Sequence, residues 1–158
     1  MLKLPLISLT TTFIITASSV YAETTASAAD NTTTPASNDT RQYVSMPEDA
    51  RALMRQDMLD HLASLNQIIS HLAANKLAAA AEVAESRMGK SSMGKHRASG
   101  MGPGRFMPLE MRKLGWGMHE SATEFSQIAE KGNVAEAYGA LGKITASCIA
   151  CHYSYRTR

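Results

Sequence analysis

The chain has 158 residues, with 16 Lys and Arg against 14 Asp and Glu, and a formal net charge of +2. So even a balance gives no electrostatic case for a nucleic acid or a membrane surface as partner. The two cysteines leave no second pair with which to complete a zinc site of clustered cysteine pairs.

At the N-terminus Lys3 precedes an apolar run from Leu4 to about Ile15, and Val20-Tyr21-Ala22 precedes Glu23. A basic start, a short apolar core and small residues before the break describe a secretory signal peptide over 1–22, cleaved after Ala22. The run is short and rich in Ser and Thr for a membrane span; an uncleaved anchor is the alternative. Export places the chain in a bacterial periplasm. Residues 23–45, dominated by Ala, Ser, Thr, Asn and Asp, lack apolar periodicity and are expected to be a disordered polar linker. The folded unit is expected over 46–158, as one small domain.

Ser45 and Pro47-Glu48-Asp49 predict a helix start. Met54, Met58, His61, Leu65, Ile68 and Leu72 then recur at spacings of four, three, four, three and four, a heptad seam that Leu62 and Ile69 widen. Asn75 interrupts it. Residues 77–88 predict an alanine-rich second helix, with Leu77, Ala80, Ala81, Ala84 and Met88 on one side and Gly89 as its C-terminal cap. Glycines at 89, 94, 100, 102 and 104 mark a long connection.

A third helix is expected from about Pro108 to about Lys131, burying Met111, Leu114, Met118, Ala122, Phe125 and Ile128. Trp116 is an ordinary core or edge aromatic on it, and His119 is expected at the surface. After Gly132-Asn133 a fourth helix starts at Val134, with Tyr138, Leu141, Ile144, Cys148, His152 and Tyr155 on one stripe. No segment alternates as a strand does. Four amphipathic helices with two short links and one long one predict an all-α fold, an antiparallel four-helix bundle.

The fourth helix carries the chemistry. Cys148-Ile149-Ala150-Cys151-His152 is C-x-x-C-H, the attachment sequence of a c-type haem: two thiols add to the porphyrin vinyl groups and the adjacent imidazole binds iron. Spacings of three and four place both sulfurs and the imidazole on one helical face. A redox-active C-x-x-C belongs early, at a strand-to-helix turn, whereas this motif ends the chain within a helical pattern. The expected cofactor is one covalent haem c on the last helix. No Ser-His-Asp set, phosphate-binding glycine loop or paired-carboxylate motif stands out, so no enzyme is expected; the haem supplies the chemistry.

Cys148 to Arg156 reads C-I-A-C-H-Y-S-Y-R. With four helices and an export signal, this resembles the cytochrome c′ family, whose C-x-x-C-H-x-x-Y-R it matches in full. Arg55-Gln56 is similar to a pair that often opens the family's first helix. The resemblance covers most of 46–158 and fails over 88–107. It implies an exported bundle with one haem, His152 as proximal iron ligand, Arg156 at the pocket edge, and a distal side facing the first helix. Low-spin members present methionine there, and Met58 falls about where that residue lies; high-spin members present an apolar side chain. His61, on the same seam, is the second candidate for the sixth ligand. Arg51 and Arg55 are candidates to meet the propionates. The implied function is electron transfer with a redox partner protein, and a homodimer is compatible with it. Gas binding, as of nitric oxide, at a five-coordinate iron is the alternative.

Met88, Met93, His96, Met101 and Met107 cluster in or beside the glycine-rich connection. Thioethers with imidazole favour Cu(I), which makes copper handling a further alternative. Basic residues there, Arg97 and Arg105 among them, suit docking to an acidic redox partner.

Overall fold

The computed structural model describes residues 38–158; the expected signal peptide and most of the expected linker lie outside the described residues. The fold is all-α, with helices α1 (Glu48–Ala73), α2 (Leu77–Met88), α3 (Leu109–Glu130) and α4 (Val134–Ser154). Two short strands, β1 (Gln42–Tyr43) and β2 (Tyr155–Arg156), pair in parallel outside them. Among the described residues no helix is long and apolar enough to cross a membrane.

Local chemistry sets each boundary. Pro47 precedes α1, with Glu48 and Asp49 in the first turn where the helix dipole favours acids. Asn75 sits at φ 54°, a left-handed conformation that an asparagine tolerates, and α2 begins two residues later. Gly89 ends α2 with its N–H donated to Ala84 and Glu85 carbonyls at 2.8 and 3.1 Å. Gly132, at φ 84°, closes the α3–α4 link. Asn133 then caps α4: its Oδ1 accepts from the Glu136 N–H at 3.2 Å while its Nδ2 donates to the Glu136 carboxylate at 2.8 Å. The long connection between α2 and α3 is three short 3-10 turns, Lys90–Ser92, Arg97–Ser99 and Pro103–Arg105.

Helix α2 packs between α1 and α3, and α3 packs on α4; α1 and α4 have no extensive contact with each other. The fully buried Ala80, Ala81 and Ala84 make the close approaches to α2 feasible. The apolar interior is divided. One cluster joins all four helices around Phe125, Ile68, Ile144 and Met88. The other gathers Val44, Met46, Ala50, Met54 and Met111 at the opposite end of α1.

Four expectations need correction. The linker does not extend to 45: β1 pairs Gln42 with Tyr155 and Tyr43 with Arg156, the Val44 N–H donates to the Arg156 carbonyl at 2.8 Å, and Val44 is buried. Backbone pairing orders this segment, and backbone pairing leaves no hydrophobic period. The same pairing ends α4 at Ser154, so Tyr155 is not helical. Leu62 and Ile69 do not widen the α1 seam: they are 64% and 49% exposed, because the buried face there is centred on Ser64 and Ile68. Tyr138 is likewise exposed, with Ala137, Ala140 and Leu141 turned inward in its place.

Glu85 ties the end of α2 to α3. Its carboxylate accepts from the Thr123 hydroxyl at 2.5 Å and the Ser91 N–H at 3.1 Å, and Thr123 accepts in turn from the Lys90 N–H at 2.9 Å. The Thr123 hydrogen bond holds the Glu85 carboxyl below its ordinary 4.5. A depressed carboxyl stabilises the fold fully above its ordinary value and loses that contribution as pH falls through the lowered one. Glu85→Ala should therefore cost about 0.5–1.5 kcal/mol at pH 7. Urea unfolding of both proteins should show that difference shrinking in acid, below pH 4.5.

Candidate functional site

Cys148, Cys151 and His152 lie on the last two turns of α4, where the two core clusters meet. Cys148 packs against the first cluster and Cys151 against the second. Both are free and half-buried, and burial pushes both thiols up from their ordinary 9.0. His152 is exposed. Its carbonyl accepts from Arg41 Nη1 at 3.3 Å, so the segment before α1 holds the end of α4. The Arg41 guanidinium also holds Asp39 down to about 2.

Cys151 and His152 face a cavity of about 640 Å³, called here the cysteine cavity. That size is within the range of small-molecule and cofactor clefts, about 300–1,000 Å³. Met54 and Met58 of α1 line it, as do Met107 and Met111 at the start of α3. Cys148, one turn back, does not. The rim is basic: Arg41, Arg51, Arg55, Arg156 and Arg158 against the single acid Glu48. Arg51 and Arg55 both pair with Glu48. Arg156 lies over the Tyr43 ring at 5.2 Å, and its buried Nε has no hydrogen-bond partner among the described residues. Its approach to Asp39, 3.8 Å, is an ion-pair distance only.

An adjoining histidine cavity of about 570 Å³ opens from the same place, and Met58, Met107 and Gly115 line both. His61 lines this second cavity and not the first. It faces His119, with ring centroids 6.0 Å apart. The structure thus brings Cys151, His152, Arg55, Arg156 and Met58 to one cavity and leaves His61 outside it.

His119 is not the surface residue expected. It is half-buried, with Nδ1 donating to the Met88 carbonyl at 2.6 Å. Its place was legible in spacing: Arg112, Gly115, Trp116 and His119 form an i, i+3, i+4, i+7 face of α3, and all four line the histidine cavity. Arg112, absent from the sequence-based site, lies over Trp116 at 5.9 Å with its buried Nε also without a partner. The methionine-rich connection does not gather as one cluster. Met88 is fully buried in the first core cluster, Met101 packs on the second, and His96 is bound to Asp57 at 2.9 Å.

Compared with protein-family models, with curated proteins and with solved structures, the chain matches none.

Raised thiols are poor nucleophiles, because only the thiolate reacts. In protein with free cysteines, iodoacetamide labelling of Cys148 and Cys151 at pH 7 should be slower than in the urea-unfolded chain, and should accelerate above pH 9.0. Mass spectrometry of timed samples checks this.

Proposed function

We propose that the chain is an exported c-type cytochrome of the cytochrome c′ type. In this reading it is an antiparallel four-helix bundle that holds one haem covalently and exchanges single electrons with a redox partner protein. One observation carries the reading: the C-x-x-C-H residues Cys151 and His152 of the last helix share a cavity with Met54 and Met58 of the first. The tight links at Asn75 and Gly132 suit helices that reverse direction.

The residues present fit a haem. Two half-buried thiols one turn apart supply the thioether bonds, and the adjacent His152 supplies a nitrogen ligand. Methionine side chains line the opposite wall, apolar and polarisable enough to pack against a porphyrin. The orphaned Nε of Arg156 and the basic rim suit two propionates, because a guanidinium binds a carboxylate in charge-assisted, often bidentate, hydrogen bonds. When bound, a haem supplies a one-electron iron couple.

The chain's own residues decide what that couple does. Met58 is the side chain of α1 best placed to serve as sixth ligand. It lines the cavity of His152, it is 39% exposed, and a soft thioether favours reduced iron. His61, turned to His119 in the other cavity, is the weaker choice. A five-coordinate site that binds a small gas is the second reading. The observation that favours it is the histidine cavity, which opens beside Met58 and leaves room for a diatomic molecule.

Periplasmic protein should carry one haem that survives acid–acetone extraction; an apo mass from a host that matures c-type cytochromes sinks the reading. With Met58 on iron, the ferric protein shows a weak long-wavelength thioether charge-transfer band. Met58→Leu should abolish it, lower the reduction potential and admit carbon monoxide, since leucine fills the volume but donates no lone pair. A high-spin wild type with rapid gas binding would favour the second reading.

A further inference from the structure

The histidine cavity holds a second set of metal-binding side chains that the proposed haem site does not use. The rings of His61 and His119 have centroids 6.0 Å apart and planes at 83°. A carbonyl can only accept, so the 2.6 Å contact to Met88 fixes the His119 proton on Nδ1 and leaves the Nε2 lone pair free. This is how metal-bound histidines are held by an outer partner. Burial, and then His119, push the His61 imidazole below its ordinary 6.5. Two imidazoles that share one ion at about 2.0–2.1 Å from each nitrogen have centroids at most roughly 6.5 Å apart. The observed centroid spacing of 6.0 Å lies within that limit.

The remaining donors select the ion. Met58, Met93, Met107 and Met118 line the same cavity. Its one carboxylate, Asp57, is held by Lys95 at 2.6 Å and His96 at 2.9 Å. Among the described residues no group of three or more His, Cys, Asp and Glu is arranged for a metal. A hard cation or a tetrahedral zinc therefore lacks ligands, whereas two neutral imidazoles and a thioether suit a soft ion. The cavity's basic side chains, Lys95, Arg97, Arg105 and Arg112, oppose a doubly charged ion more strongly than a singly charged one.

We propose that His61 and His119, completed by the Met93 thioether, bind one Cu(I). Met93 is the thioether free to turn: it is 41% exposed and lies on the connection beside Gly94, at φ 81°. Met118 is packed in the first core cluster, and Met58 and Met107 border the cysteine cavity. The site uses none of Cys148, Cys151 and His152, so it stands apart from the haem reading.

The test is competition for Cu(I), kept reduced by ascorbate, between the protein as purified and a colorimetric Cu(I) chelator. Wild type should withdraw one equivalent. His61→Ala and His119→Ala should each weaken binding by more than roughly a hundredfold, the upper range for loss of an outer-shell partner alone. Met93→Leu should weaken it less, and His96→Ala, whose imidazole is already held by Asp57, not at all. Circular dichroism checks folding; where His119→Ala unfolds, His61→Ala decides alone, since its ring makes no hydrogen bond among the described residues. No withdrawal by wild type, or unchanged binding in His61→Ala, overturns the proposal. So does a haem spectrum altered by His61→Ala, which would put that imidazole on iron. Copper binding by protein without haem would support this site while sinking the function proposed above.

Discussion

The small side chains of α2 let α1 and α3 approach it from both sides, and α4 then reaches the rest of the structure through α3. That arrangement leaves little direct packing between α1 and α4. Met54 and Met58 of α1 and Cys151 of α4 line one cavity, so the hydrophobic effect favours whatever apolar group is placed there. Fully burying one methionine is worth about 1.5–3 kcal/mol. Of the four that line the cysteine cavity, Met54 and Met111 are already buried, which leaves Met58 and Met107 to gain. The division of the core into two clusters follows from the same spacing, and the C-x-x-C-H turn bridges it with one cysteine on each side.

Electrostatics and the segment before α1 complete that site. Residues Gln42 and Tyr43 pair with Tyr155 and Arg156, and Arg41 reaches the carbonyl of His152. The end of α4 is thereby held from outside the helical layer, which restrains the last turn, where helices fray. Asp39 sits beside Arg41 and Arg156, while Glu48 is the acid of the rim itself. A buried Nε without a hydrogen-bond partner is costly, and among the described residues the two such atoms, in Arg112 and Arg156, lie on the cavities rather than in the core clusters.

The helices were legible because their residues carry strong periodic and punctuating signals. The α2 bounds coincide with the expected 77–88, and Asn75, Gly89, Gly132 and Asn133 act at the boundaries where their backbone chemistry places them. What periodicity does not encode is the centre and width of a buried face. On α1 the face turns toward Ser64, whose hydroxyl donates to the Asp60 carbonyl at 2.7 Å and so satisfies its polarity within the helix. That shift leaves Leu62 and Ile69 in water. The β1–β2 pair is defined by its backbone bonds, and its residues carry no alternation. Of the site, the C-x-x-C-H turn and Met58 were visible as local spacing. The separation of His61 from His152, and its approach to His119, depend on how α1 and α3 face each other, which no window of sequence contains.

Gly115 shows what the two cavities require of α3. A glycine inside a helix costs about 1 kcal/mol relative to alanine, and Gly115 lies well within α3. A Cβ built there would meet no atom within 4 Å, so packing among protein atoms does not call for glycine. Yet the residue lines both cavities, beside Met58 of α1 and Met107 of the connection. Glycine is the residue that lets a ligand come close to the backbone itself. On the reading proposed above, the helix forgoes that stability where the wall shared by the two cavities must be flat, while Arg112, one turn earlier, and the adjacent Trp116 line the histidine cavity alone.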